Sequence, residues 1–149
     1  MEIDVMSDRP TLPILGIGEV SVYVTDIDAA EAWYCRVLGL ETVGKGESFC
    51  FLRAGDDAVL RQRVILFVAE RTVQQARPPS HGAMGPVHVA LGARFEDLDL
   101  FRQALAEAGV PIEQEITWPS GDHSIYFRDL DGNSIEIYGQ KQFQRYEQG

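Results

Sequence analysis

The chain has 149 residues, 45 % of them hydrophobic, which fits one globular domain with a sizeable core. Its 13 Lys and Arg against 23 Asp and Glu give a formal net charge of −10, which argues against nucleic acid or an anionic membrane as a partner. No apolar run approaches the ~20 residues of a membrane span, and the acidic start MEIDVMSDRPTLP is unlike a signal peptide. We therefore expect a cytoplasmic protein that begins with a flexible arm over residues 1–14.

The first half predicts a strand, a helix and three further strands. The alternating run EVSVY after Gly18 is typical of a strand, and the stretch that follows has the apolar spacing of a helix. Asp26 or Asp28 is placed to cap this helix, and Gly39 is placed to end it. Extended segments are then expected over residues 41–43, 48–53 and 63–69.

The second half predicts the same order again. A strand begins after Gly85 in GPVHVAL, and a helix follows that starts near Glu96 or Asp97 and ends near Gly109. Three extended segments follow, over residues 112–117, 124–128 and 134–138, and a tail over residues 141–149. The Pro- and Gly-rich stretch 72–84 between the halves is a linker, and its two consecutive prolines predict an extended course.

This doubling predicts the fold class. Modules over residues 15–71 and 85–140 should pack as one domain, because a unit of that size is marginal alone. We expect an α+β fold of paired βαβββ modules that form a curved mixed sheet around a central cavity. Strand alternation turns Val20 and Val22 towards the helix and leaves Glu19 and Tyr23 for the cavity; in the second module it leaves His88.

Three of these cavity-side positions carry chemistry. Glu136 is a carboxylate in mid-strand, which implies either contact with water or a partner that offsets its burial. His88 is either a ligand or a hydrogen-bonded core histidine, and Glu19 is either a ligand or an exposed residue at a strand start. Without a metal, the two carboxylates would share a proton and act as an acid–base pair. Cys35 and Cys50 form no CxxC pair and are expected to be reduced structural thiols.

The segments GPVHVAL, SIYFRDLDGNSIEIYG and VSVYVTDIDAAEAWYCRVLGLE resemble the vicinal oxygen chelate superfamily over about residues 15–140. That superfamily includes glyoxalase I, bleomycin and fosfomycin resistance proteins, extradiol dioxygenases and methylmalonyl-CoA epimerases. The resemblance implies metal ligands at Glu19, His88 and Glu136. The position of a fourth ligand is assigned to Leu66, which cannot bind a metal, so at most three protein ligands remain.

This sequence departs from the family pattern at its first ligand. Family members usually have His where Glu19 stands, although glutamate is a competent ligand for divalent ions. Tyr126 matches the active-site tyrosine of the dioxygenases, whereas Thr117, Trp118 and Pro119 occupy the region of their further histidine.

The resemblance implies a metal-dependent enzyme that chelates two oxygens of a small substrate. Its reaction would be isomerase, lyase, fosfomycin-type transferase or hydrolase, or dioxygenase chemistry, and its ion Mn, Fe, Zn, Ni or Mg. Glu19 and Tyr126 are the expected catalytic residues, and a homodimer is expected by analogy. Tyr23, Trp118 and His123 are candidates for substrate contact at the cavity. The alternative is a metal-free protein that binds a drug or metabolite, as bleomycin resistance proteins do.

Overall fold

A computed structural model describes residues 12–13, 15–83 and 85–141 of the chain. Most of the predicted N-terminal arm (1–14) and C-terminal tail (141–149) lies outside these ranges, so both stay predictions. The first module contains β1 (Glu19–Tyr23), α1 (Ile27–Leu38), β2 (Glu41–Lys45), β3 (Phe49–Arg53) and β4 (Arg63–Phe67), followed by α2 (Ala69–Thr72). The second contains β5 (His88–Arg94), a 3₁₀ turn (Phe95–Asp97), α3 (Leu98–Glu107), β6 (Gln114–Thr117), β7 (His123–Arg128) and β8 (Ser134–Gln140).

Each module forms its own four-stranded mixed sheet. The strand orders are β1-β4-β3-β2 and β5-β8-β7-β6, so the two modules have the same topology. In each sheet one pair of neighbours is parallel, β1 with β4 and β5 with β8. The other neighbouring strands are antiparallel. The predicted α+β class with paired βαβββ modules is therefore confirmed.

The two faces of each sheet differ as the alternation predicts. In β1, Val22 is fully buried against the helical layer, whereas Glu19 is exposed on the opposite face. In β5, Val89 is buried, whereas His88 and Ala90 are exposed. We call the face turned away from the helices the open face of each sheet. It carries the polar positions on which the functional hypothesis depends.

Helix α1 begins and ends where the sequence predicts. Asp26 is its N-cap and accepts a hydrogen bond from the backbone N–H of Ala29 at 3.0 Å, which satisfies a donor that the first turn leaves unpaired. Gly39 closes the helix in the left-handed conformation with φ of 65°. Helix α3 starts at Leu98 with Asp97 at its N-cap position, as predicted, and a 3₁₀ turn from Phe95 to Asp97 precedes it.

Helix α1 joins the two modules. The Trp33 ring packs against Phe127 of β7 with centroids 6.3 Å apart, and both side chains are buried. The amide of Asn133, in the β7–β8 turn, donates to the backbone carbonyl of Tyr23 at 3.2 Å. The modules thus share one apolar core, as expected for units too small to be stable alone.

The linker turns back on itself, so the predicted extended course is wrong. Its first residue ends helix α2, and the backbone N–H of His81 donates to the carbonyl of Thr72 at 3.1 Å. The linker thereby brings His81 back to the open face of the first sheet. Among the described residues, no helix has the length and apolar character needed to cross a membrane.

Candidate active site

A buried carboxylate on the open face of the second sheet is the centre of the candidate site. Glu136 of β8 is only 7 % exposed. Its Oε1 accepts hydrogen bonds from Ser124 Oγ at 2.5 Å and from Tyr126 Oη at 3.1 Å, both of β7. Tyr126 lies directly opposite Glu136 in the β7–β8 ladder, so strand register alone brings the two together. These contacts offset the cost of burying the carboxylate and hold it in one orientation.

His88 approaches the other oxygen of the same carboxylate. Its Nε2 lies 3.1 Å from Glu136 Oε2, and its ring stacks on Tyr126 with centroids 6.2 Å apart. Its Nδ1 lies 3.1 Å from the carbonyl oxygen of Ser134 and 3.2 Å from Oγ of that residue. The side chain is 50 % exposed, so this imidazole is accessible from solvent although the carboxylate behind it is not.

The contacts of His88 allow two proton arrangements. In one, the Ser134 hydroxyl donates to Nδ1 and the Nε2–H donates to Glu136. In the other, Nδ1–H donates to the Ser134 carbonyl, which leaves the Nε2 lone pair facing Oε2 of Glu136. Two lone pairs 3.1 Å apart require a proton or a metal ion between them. The arrangement therefore suits either a histidine–carboxylate pair that holds a proton or two ligands of one ion.

A chain of hydrogen bonds supports the carboxylate from outside. The indole Nε1–H of Trp118 donates to Ser124 Oγ at 2.8 Å, and Ser124 in turn donates to Glu136. Ser124 is fully buried, whereas Trp118 is 37 % exposed. Burial, followed by the hydrogen bond to Glu136, raises the pKa of Tyr126 above its ordinary value. Tyr126 is therefore a protonated donor at neutral pH.

Glu19 lies on the other sheet, away from this group. It is exposed on β1, in the first module, and pairs in register with Arg63 of β4. Among the described residues, no three His, Cys, Asp or Glu side chains come close enough together to hold a metal ion. The structure therefore brings two of the three predicted ligands together within one chain.

The fourth-ligand position must be corrected from Leu66 to Ile65. Leu66 is fully buried and faces the helical layer, because it pairs with Val22 of β1. Ile65 pairs with Ser21 on the open face, as Glu136 pairs with Ala90 in the second sheet. Equivalent residues of the two modules are 69 positions apart in β1 and β5 but 71 positions apart in β4 and β8. A single spacing of 70 for the whole module therefore assigns the residue equivalent to Glu136 one position too late. An isoleucine cannot bind a metal either.

The three candidates for substrate contact lie in different places. Trp118 is within one hydrogen bond of Ser124 and so belongs to the surroundings of Glu136. Tyr23 lies on the open face of the first sheet, where its hydroxyl is 2.7 Å from His81 Nδ1. His123 does not join the Glu136 group: it is next to Ser124 in β7, so strand alternation turns it to the opposite face, where it contacts Glu115 and Thr117 at 2.9 and 2.8 Å.

Three residues of these two open faces, Ser124, Ser134 and His81, were not predicted from the sequence. Ser124 has the same parity as Tyr126 on β7, and Ser134 is opposite His88 in the β5–β8 ladder, so alternation and register would have pointed to both. His81 had no such signal, because it comes from the linker and lies 58 residues from Tyr23. It lines a cleft of about 540 Å³ together with Glu19.

Comparison with known proteins gives one consistent family. A model described as the Glyoxalase/Bleomycin resistance protein/Dioxygenase superfamily matches residues 16–137. Biphenyl-2,3-diol 1,2-dioxygenase 2 of Rhodococcus globerulus is 28 % identical over 125 residues, which cover 80 % of this chain and 60 % of that protein. The chain thus spans less than two thirds of that relative's length.

Two further relatives match over most of their length. Metallothiol transferase FosB of Bacillus licheniformis is 26 % identical over 133 residues, 89 % of this chain and 80 % of that protein. The crystal structure of lactoylglutathione lyase from Agrobacterium tumefaciens superposes with a TM-score of 0.80 at 33 % identity, covering 89 % of this chain and 98 % of that one. These proteins carry different activities on similar chains.

Proposed function

Because the chain belongs to the Glyoxalase/Bleomycin resistance protein/Dioxygenase superfamily, we propose that it is a metal-dependent enzyme acting on a small oxygenated substrate. In this proposal His88 and Glu136 hold a divalent ion that takes two oxygen atoms of the substrate. One observation carries the proposal: His88 Nε2 and Glu136 Oε2 lie 3.1 Å apart on neighbouring strands, with the second carboxylate oxygen already held by Ser124 and Tyr126. The names of the relatives, a dioxygenase, a lyase and a metallothiol transferase, give the range of reactions.

The residues present fit a divalent ion. An imidazole nitrogen and a carboxylate oxygen are ligands for Mn, Fe, Zn and Ni, and the carboxylate also suits Mg. The Ser134 carbonyl can accept the Nδ1–H of His88, the outer contact that typically orients a metal-binding imidazole. Half of the His88 side chain is exposed, which leaves a route for the ion and the substrate.

We propose Glu19 of a second copy of the chain as the third ligand. Glu19 is exposed on β1 and His88 is exposed on β5, so neither side chain is enclosed by its own chain. In the described part of the chain, β1 pairs with β4 alone and β5 with β8 alone. Each strand thus lies at the edge of its sheet, where another chain could meet it. One imidazole and two carboxylates would make a nearly neutral site around a divalent ion.

The side chains of this site have separate tasks in the proposal. When bound, the ion would act as a Lewis acid that stabilises negative charge on the substrate oxygens. Tyr126, kept protonated, donates a hydrogen bond to the carboxylate or to a bound oxygen. Glu19 binds as a ligand or, displaced by substrate, accepts the proton that the substrate releases. Trp118 forms part of the wall beside Glu136.

Metal content tests the proposal. Protein purified without chelators is expected to carry a stoichiometric divalent ion by mass-spectrometric metal analysis. His88→Ala and Glu136→Gln should each lose that ion, because each removes one of two adjacent ligands. His123→Ala and Glu115→Gln are matched controls, since both residues contact each other on the opposite face of the same sheet. They should keep the ion.

The same measurement decides between the enzyme and its rival. If the wild-type protein binds no ion from a panel of Mn, Fe, Zn, Ni and Mg, the metal-dependent function is wrong. Ligand binding that survives Glu19→Ala and Glu136→Ala would then favour a metal-free binding protein. If His88→Ala and His123→Ala lose the ion equally, it is held elsewhere on the surface.

A further inference from the structure

The open face of the first sheet carries an aromatic cleft beside Glu19, and the proposed metal site uses none of its aromatic residues. Phe49 and Phe51 of β3 have ring centroids 5.0 Å apart. Phe49 lies directly opposite Phe67 of β4, so all three rings share one face. We call this site the aromatic cleft, of about 540 Å³, lined by Phe49, Phe51, Phe67, Glu19, Ser21 and His81. Its size is that of small-molecule sites.

The linker gives this cleft a fixed polar group. The His81 ring packs edge-on against Phe67 with centroids 4.8 Å apart, and its Nδ1 lies 2.7 Å from the Tyr23 hydroxyl. Its backbone N–H is bound to Thr72. Burial raises the pKa of Tyr23, so its hydroxyl stays protonated and can donate to Nδ1. The neutral imidazole then carries its proton on Nε2 and can donate it to a ligand.

The charges around the cleft select against ionised ligands. Among the described lining residues, Glu19 is the one acidic side chain, and it would repel an anion. Arg63 and Arg53 lie in the same row of the sheet as Glu19, but their guanidinium groups bind Asp57 at 2.8 Å and Glu41 at 2.6 Å. The apolar floor therefore favours a flat neutral ring, and His81 favours one that bears a hydroxyl group.

We propose that the aromatic cleft binds the ring of a neutral hydroxylated aromatic molecule, with His81 hydrogen-bonded to its hydroxyl group. The inference rests on the proposed function only in taking this ring as part of the substrate, which would place it beside Glu19. Ring binding itself needs the cleft and not the ion, so the two ideas can fail separately.

Fluorine NMR titration of the full chain, as purified and after dialysis against EDTA, tests this inference. The probes are 4-fluorophenol, fluorobenzene, 4-fluorocyclohexanol and 4-fluorobenzylammonium. We expect 4-fluorophenol to bind most tightly in both preparations. Phe51→Ala should weaken it about threefold to tenfold, the range for losing one aromatic contact. His81→Gln should bring the affinity of 4-fluorophenol down towards that of fluorobenzene. Val59→Ala, at a residue 86 % exposed in the β3–β4 loop, is the control for loss of an apolar side chain and should change nothing.

Several results would overturn the inference. They are equal binding of 4-fluorocyclohexanol, tighter binding of 4-fluorobenzylammonium, or an unchanged affinity in Phe51→Ala. Loss of 4-fluorophenol binding on EDTA treatment would place the ring at the metal and leave the proposed function intact. Binding of 4-fluorophenol by a protein that holds no metal would support the cleft and contradict the proposed metal-dependent function. Dissociation of a dimer by Phe51→Ala, seen by sedimentation velocity, would show that a second copy covers the cleft.

Discussion

The hydroxyl group of Tyr34 lies 2.7 Å from Oδ2 of Asp129, and this buried hydrogen bond joins helix α1 of the first module to the β7–β8 turn of the second. The carboxylate of Asp129 also accepts bonds from the backbone N–H and the side-chain amide of Asn133, both at 2.8 Å. Asn133 in turn binds the backbone of Tyr23. The turn that leads into β8, and so places Glu136, is thus fixed to the opposite module.

Tyr34→Phe should lower the free energy of unfolding by about 1–3 kcal/mol, because it removes a donor to a buried carboxylate. Urea unfolding at pH 7 measures the change. Tyr138→Phe is the matched control: its hydroxyl also donates at 2.7 Å to a carboxylate, that of Asp122, but this bond is only partly buried. Its loss should cost less than about 1 kcal/mol. Equal costs for the two variants would contradict a special role for the Tyr34 bond.

The buried hydroxyl group of Tyr34 should also make the protein less stable at alkaline pH. Burial, followed by the charge of Asp129, raises the pKa of Tyr34 far above its ordinary value. The unfolded state loses this proton near pH 10 and the folded state keeps it, so this contribution is fully present below about pH 10 and declines above it. Above that pH, Tyr34 lowers the free energy of unfolding by at most about 1.4 kcal/mol per pH unit. Unfolding free energies between pH 9 and 11 should fall less steeply in Tyr34→Phe; parallel slopes would contradict this prediction.

Ser124→Ala should weaken metal binding without removing a ligand. Ser124 donates to Glu136 Oε1 and accepts from Trp118, so its loss leaves Tyr126 as the remaining donor to that oxygen. Loss of such an outer contact typically costs tenfold to a hundredfold in metal affinity. Competition titration with a chromogenic chelator measures the affinity. Ser120→Ala, in the exposed loop before β7, should leave it unchanged, and an equal loss in both variants would argue for a general effect on stability.

Much of the fold follows from patterns that are local in sequence. Alternation in EVSVY and HVALG assigns the buried and open faces of β1 and β5 correctly, because one face of each strand must cover a helix. Asp26 and Gly39 mark the ends of α1, since capping and a left-handed residue depend on near neighbours. The same parity brings His88 and Glu136 onto one face, and the contact between them was expected on that basis.

The features that were missed depend on contacts distant in sequence. The stretch between β1 and β3 is shorter than that between β5 and β7, whereas the β3–β4 loop is longer than the β7–β8 loop. The repeat offset therefore changes along the chain, and Leu66 was assigned in place of Ile65. His81 reaches the first sheet only because the linker turns back after α2, which no local pattern indicates. Glu19 lies on the open face, as strand alternation predicts. Alternation gives no information about the distance between residues on two separate sheets.

A mixture of two defective variants tests whether Glu19 completes the site of another copy. Glu19→Ala and His88→Ala should each bind metal poorly, since each lacks one proposed ligand. If the site lies between two chains, a mixed dimer has one site with both residues intact, because the Glu19→Ala chain supplies His88 and the other chain supplies Glu19. Random pairing after co-refolding would then restore about one quarter of the wild-type metal content. A mixture that binds no more metal than the average of its two components would contradict a shared site. Co-refolding Glu19→Ala with Glu136→Gln should give the same quarter, because Glu136 shares its sheet with His88, whereas co-refolding His88→Ala with Glu136→Gln should restore nothing.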